Sequence, residues 1–282
     1  MQLIDTHCHL DAAEFAADRS GVIAEAVSAG VALMVVPAVE AGCFDAVRAL
    51  AAAEPRCVSA FGIHPLYVEA AGEEALDALA GALRAGGAVA VGEIGLDFYV
   101  EGCDRALQER FFAEQLRLAR EFGLPVLLHL RKAQDTVLKH LRRIGGAGGI
   151  AHAFNGSMQQ ANEFIRLGFR LGFGGAMTYE RARRLRDLAA RLPLDAIVLE
   201  TDAPDMAPAW AAHSRNVPGH LARIAGMLAA LRGVPIEEIA ARTTANARAV
   251  LPRLGPAIDA LAPAHRARPP RARGPHRDAE SG

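Results

Sequence analysis

Charge of one sign is what this chain lacks. Its 31 lysines and arginines offset 32 aspartates and glutamates, a formal net charge of −1, so bulk electrostatics demands neither nucleic acid nor a membrane surface as a partner. Cysteine is scarce too. Cys8, Cys43, Cys57 and Cys103 stand far apart with no CxxC pair, which argues against a zinc ribbon or a dithiol redox site. They read as reduced thiols in a cytoplasmic protein. Long apolar runs are also missing: "VALMVVPAV" is the length of a strand and too short to cross a bilayer. The first residues show no basic segment leading into an apolar one, so no secretory signal is expected. What the chain does have is core. With 282 residues, 51% of them hydrophobic, it can build one large domain or two ordinary ones.

Short β-branched runs alternate with longer segments of helical period. The strand candidates are "QLIDTHC", "VALMVVPAV", "CVSAFGIHP", "VAVGEIGLD", "PVLLHLRK", "GIAHAFNG", "FRLGFGGAMTY" and "AIVLETDAP". Between them lie helices such as 104–122, with Leu107, Phe111, Phe112, Gln115 and Leu118 as its inner stripe. Asp104 is its expected N-cap, and Gly123-Leu124-Pro125 its stop. Two more helices are expected near 219–231 and 235–250. Eight strands, each followed by a helix, predict an α/β fold, a single-domain (β/α)8 TIM barrel over residues 1–254. The rival is an open doubly wound sheet; "GFGGAM" invites a dinucleotide reading but lacks the full spacing and comes late. Residues 255–282 are rich in Pro and Arg with little to bury, and read as a disordered, solvated tail.

The polar residues gather at strand ends. His7 and His9 close the first candidate, His64 the third, Glu93 and Asp97 the fourth, His129 and Arg131 the fifth, His152 the sixth, and Glu200 and Asp202 the eighth. In an extended segment, residues two apart share a face, so His7 and His9 project together. Each residue alone has an ordinary explanation: His152 as a satisfied core histidine, Asp202 as a loop cap, His64 as turn chemistry before Pro65. Their recurrence at one end of apolar strands is what those explanations leave out. In a barrel these ends converge on the face that carries the active site.

Four histidines and two carboxylates exceed what one catalytic zinc uses, since such a site keeps three protein ligands and an open position. Two divalent ions about 4 Å apart would use them, with one carboxylate bridging. Glu93, on a middle strand between the histidine groups, is the expected bridge; Lys132, of opposite strand parity to His129, is the less suitable one. Asp202 is expected to serve as metal ligand and proton acceptor. Imidazole and carboxylate donors favour Zn, Mn or Fe, with Mg a less natural fit. Arg131, Lys132, Arg215 and the amides after Asn155-Gly156-Ser157 are candidate phosphate contacts.

"DTHCHLD", "FGIHPLY", "VGEIGLDFY", "PVLLHLRKA", "AHAFNGS" and "LETDAPDM", closing with "RNVP" and "TTANA", resemble the TatD-type metal-dependent hydrolases, amidohydrolase-like (β/α)8 barrels of which several are DNases. The resemblance runs in order from the N-terminus to roughly residue 252. It implies that His7 and His9 hold one ion, that Glu93 bridges, that His129 and His152 hold the second, and that Asp202 is ligand and base. It also places His64 and Asn216 beside the substrate. Two segments depart from the family pattern: Val217 follows Asn216 where a glutamate is usual, and "LGFGGAMTY" replaces a serine-glycine form. Both are expected to reshape the groove that receives a DNA end.

The resulting expectation is a hydrolase of ester bonds that trims DNA ends with two-metal activated water. One alternative keeps the site but takes a small cyclic amide or small phosphate ester, because fold does not fix function. A second is a binding protein that has kept the barrel without catalysis; against it, no ligand position carries an inert side chain.

Overall fold

The computed structural model describes residues 2–261. Strands and helices alternate from one end to the other. They run β1 (Leu3–Asp5), α1 (Arg19–Ser28), β2 (Val31–Pro37), α2 (Phe44–Ala53), β3 (Cys57–Ala60), α3 (Val68–Ala71), α4 (Glu74–Arg84), β4 (Val91–Asp97) and α5 (Arg105–Glu121). There follow β5 (Val126–Arg131), α6 (Gln134–Ile144), β6 (Gly149–Ala151), α7 (Met158–Arg166), β7 (Phe169–Phe173), α8 (Arg183–Arg191) and β8 (Ile197–Leu199). Helices α9 (Leu221–Arg232), α10 (Ile236–Val250) and α11 (Leu254–Leu261) complete the described chain. Every predicted strand is present. Most are shorter than their apolar runs, because the runs continue into the loops that carry the polar residues.

All strand pairs are parallel, in the order β1-β2-β3 and β4 to β8. Two seams join these sheets into a ring. At one, Phe61 bridges Val91, and the Gly92 amide donates to the Phe61 carbonyl at 2.8 Å. At the other, both the amide and the hydroxyl of Thr6 donate to the Leu199 carbonyl, at 3.1 and 3.0 Å. The ring is a (β/α)8 barrel.

Strand alternation sorts the core into two layers. On β2, Leu33 and Val35 face inward with Ile4, Ala60, Leu127, Ile150 and Val198, while Met34 and Val36 face the helices. The inward layer packs on Val250, Leu251, Leu254 and Ile258. Those contacts correct the boundary expected at 254: Leu254 and Ile258, one helical turn apart, are both buried, so α11 belongs to the barrel. The remainder of the expected tail, 262–282, lies outside the described residues. No described helix is long and apolar enough to cross a membrane.

Helix α5 follows the predicted pattern. Asp104 Oδ1 accepts the Leu107 amide at 3.0 Å, and Phe111, Phe112 and Gln115 are buried. Gly95 marks a close approach between strands. At φ +151°, a Cβ there would collide with the His129 carbonyl oxygen, so only glycine lets β4 lie this close to β5.

Candidate metal centre

The loops after β1 and β8 are knitted together before any side chain reaches the site. Asp202 donates its amide to the His7 carbonyl at 2.9 Å, and His9 donates its amide to the Ala203 carbonyl at 2.7 Å. Asp5, fully buried, reinforces the join: its carboxylate accepts the Thr201 amide at 3.0 Å, the Thr201 hydroxyl at 2.6 Å and the His7 amide at 3.3 Å. Burial pushes the Asp5 carboxyl up to about 7, against the pull of those hydrogen bonds. Although β1 ends at Asp5, the chain beyond it stays extended enough for His7 and His9 to present Nε2 atoms 3.3 Å apart.

Glu93 lies between two sets of histidines. Its Oε2 is 3.2 Å from His7 Nε2 and 3.6 Å from His9 Nε2, and its Oε1 is 2.9 Å from His129 Nδ1 and 3.7 Å from His64 Nε2. Asp202 Oδ1 closes the other side, 3.8 Å from His7 Nε2, 3.6 Å from His9 Nε2 and 3.4 Å from His152 Nε2. The His152 ring stacks on His7 at 3.7 Å. Three groupings of donors within 4.8 Å of one another result: His7–Glu93–His152, His7–His9–Asp202 and His64–Glu93–His129. His129 and His152 share Glu93 but no grouping.

The chemistry of these donors fits a cation. Zinc bonds of about 2.0–2.1 Å make a tetrahedral edge of roughly 3.3 Å, and the spacings above cluster near that value. Carboxylates also press on the far side of two imidazoles. His129 Nε2 is 3.1 Å from Asp97 Oδ2 while its Nδ1 faces Glu93, and His152 Nδ1 is 3.0 Å from Glu200 Oε1 while its Nε2 faces Asp202. Burial opposes charging these rings, but the flanking carboxylates outweigh it and raise both pKa values. Conversely, the histidines overcome burial to hold Glu93 and Asp202 below the usual carboxylate range. Positive charge is what the centre calls for, and a divalent ion supplies it.

His64 stands apart. Its Nδ1 accepts the Leu66 amide at 3.2 Å, so a neutral ring carries its proton on Nε2. Burial pushes the pKa of this histidine down to about 3, which keeps the ring neutral. His64 Nε2–H is therefore a donor aimed into the centre, 3.7 Å from Glu93 Oε1.

Two expected contacts fall elsewhere. Asn216 is fully buried; its Nδ2 donates to the Thr201 and Asp205 carbonyls at 2.7 and 2.8 Å, and its Oδ1 accepts the Val217 amide at 3.0 Å. It locks the loop after β8 and does not reach the mouth, a correction to its expected role. Arg215 is committed to Asp18, at 2.7 Å, and to the Glu14 carbonyl. Arg131 and Lys132 remain at the exposed rim. Supports that sequence patterns did not single out are Thr201 on Asp5 and Gln108 accepting the Asp97 amide at 2.9 Å; Gln115, expected only as part of an inner stripe, holds both backbone groups of Ile63 at 2.7 and 3.0 Å.

A parallel barrel with histidine and carboxylate donors at the C-terminal ends of its strands defines the class, a (β/α)8 metal-dependent hydrolase. The family can also be stated. Residues 4–252 match the model of the TatD related DNase family, and the chain belongs to it. It is similar to the uncharacterized metal-dependent hydrolase YjjV of Escherichia coli K12, 42% identical over 242 residues, 85% of this chain and 93% of that one. The crystal structure of that TatD homolog superposes with a TM-score of 0.86 at 40% identity, covering 89% of this chain and 98% of the other. The 3'-5' ssDNA/RNA exonuclease TatD of Citrobacter koseri is 33% identical over 256 residues, 87% of this chain and 97% of its own length.

Proposed function

We propose that this protein hydrolyses phosphodiester bonds at the ends of DNA, using two divalent ions that His7, His9, Glu93, His129, His152 and Asp202 would hold between them. The observation that carries this reading is Glu93, whose two oxygens each face a different set of imidazoles. The exonuclease name of the Citrobacter relative supports the substrate class. Bound ions of this kind neutralise charge on a phosphoryl group and lower the pKa of water.

The chain's own groups supply the rest. His64 Nε2–H donates to a phosphate oxygen, and being neutral it does not compete for a proton. Asp202 accepts the proton of the attacking water at its carboxylate, which the surrounding histidines keep ionised. Arg131 and Lys132, at the exposed end of β5, hold phosphates of the strand that enters. Asp97 fixes the ring orientation of His129 through a hydrogen bond, and Glu200 lies 3.0 Å from His152 Nδ1.

The test uses purified protein and end-labelled single-stranded oligonucleotides, with elemental analysis alongside. Two ions per chain and stepwise shortening of the label, abolished by a chelator, are expected. One ion at full occupancy would sink the two-metal assignment. Intact oligonucleotides with hydrolysis of a cyclic amide would overturn the substrate while leaving the centre in place.

A further inference from the structure

Aromatic residues are few here, 5% of the chain, with three tyrosines and one tryptophan. The large hydrophobic side chains that are exposed among the described residues are Leu66, Tyr67, Tyr99, Val100 and Met206. All five lie on loops that follow β3, β4 and β8, on the face of the barrel that holds the metal centre. The two aromatic members are Tyr67, 39% exposed, and Tyr99, 50% exposed. Scattered exposed apolar groups need no explanation, but a set confined to one functional rim does.

Tyr99 is the more committed of the two rings. Its amide donates to Asp97 Oδ1 at 2.8 Å, and Asp97 Oδ2 contacts His129, so the turn that carries the ring is anchored to the centre. The Arg131 guanidinium lies over the ring, 3.8 Å from its centroid, and Lys132 Nζ is 4.8 Å away. Seven other arginines, among them Arg110, Arg142 and Arg215, pair with carboxylates. Neither Arg131 nor Lys132 has such a partner among the described residues. An exposed ring backed by two uncommitted cations, beside a hydrolytic centre, matches a stacking platform for a base whose phosphate the cations take.

We propose that Tyr99, with Arg131 and Lys132, forms a base-stacking subsite for the terminal nucleotides of a single strand. This rests on the nuclease reading above and names its substrate form. A paired base keeps its faces inside the duplex stack, so the subsite selects unpaired ends. Stacking also accounts for affinity in a chain with no net positive charge. With about two phosphate contacts, log affinity falls with log salt at a slope of only about −1.4 for single strands.

The experiment uses the metal-loaded full chain and a single-stranded thymidine oligomer, compared with the same oligomer carrying abasic sites at its terminal positions. Tyr99→Ala is expected to raise KM on the normal strand by about 5- to 100-fold with kcat little changed, and Tyr99→Phe to restore it. On the abasic strand wild type and Tyr99→Ala should have the same KM. A 2-aminopurine placed in the terminal nucleotides, read with chelator present, should be quenched by wild type and Tyr99→Phe but not by Tyr99→Ala. A wild type that cleaves the strand while Tyr99→Ala keeps both KM and quenching would overturn the platform alone. A metal-loaded wild type that neither binds nor cleaves any oligomer would overturn the nuclease reading, and the platform with it.

Discussion

Asp97 and Glu200 each address the ring nitrogen of a histidine that points away from its neighbour in the centre. Such carboxylates fix the tautomer that leaves the other nitrogen free for a metal, and their loss costs about 10–100-fold in metal affinity. Asp97→Ala is expected to weaken binding by that order, measured by competition with a chromogenic chelator; unchanged affinity would leave Asp97 only its turn to hold. Asp202 carries a different burden. Its φ of +60° puts an L-residue in the left-handed region, which aspartate tolerates better than most, and aims the carboxylate back across the strand ends. Asp202→Asn in the fully metallated protein should lower turnover by about 10²–10⁴-fold, the usual contribution of a general base. Near-normal single-turnover rates would take Asp202 out of the proton transfer. Neither this backbone conformation nor the Asp5–Thr201 clamp was legible in the sequence. Residue type and strand-end position identified the histidines and carboxylates, but a clamp between residues 196 apart depends on which loops the barrel brings together.

Among the elements, α5 does more than cover β4. Its apolar stripe was readable from spacing, and so was its N-cap. Gln108 was not, and Gln115 was read only as a member of the stripe, because a polar residue on a helix face carries no mark of the backbone it will meet. Gln115 pairs with both the amide and the carbonyl of Ile63, next to His64. Replacing it by Ala leaves two buried backbone groups unpaired. The expected cost is about 1–3 kcal/mol in urea unfolding, with a slower reaction from a loosened His64. A variant as stable and as active as wild type would show that Ile63 finds other partners. The strands carry a similar lesson. Their apolar runs predicted eight elements in the right order, yet only Glu93 and His129 stand within strands, while His7, His9, His152 and Asp202 follow the last residues of β1, β6 and β8.

At the scale of the whole molecule, the donors come from around the ring: β4 and β5 carry Glu93 and His129, and His7, His9, His152 and Asp202 follow β1, β6 and β8. Ions bound there tie strands that the two short seams otherwise hold with few hydrogen bonds. A ligand at about 100 times its dissociation constant adds about 2.7 kcal/mol to stability, so a chelator should lower the melting temperature by roughly 5–10 °C. Calorimetry with and without chelator checks this, and coincident transitions would mean that the barrel is closed independently of its ions. The barrel as a whole was legible because alternating elements of fixed order admit few architectures. The extension of the core through α11 was not, because two apolar residues in an otherwise unremarkable segment are a weak signal until the barrel floor they fill is known.

The seam between Thr6 and Leu199 has a consequence in time. A ribosome makes His7 and His9 among the first residues of this chain and Asp202 nearly 200 residues later, and the two loops meet only once β8 has emerged. Until then a nascent chain holds part of a ligand set with nothing to close it. A complete ligand set therefore arises only when synthesis of the barrel is complete, and a product terminated before β8 lacks Asp202 and the loop that carries it.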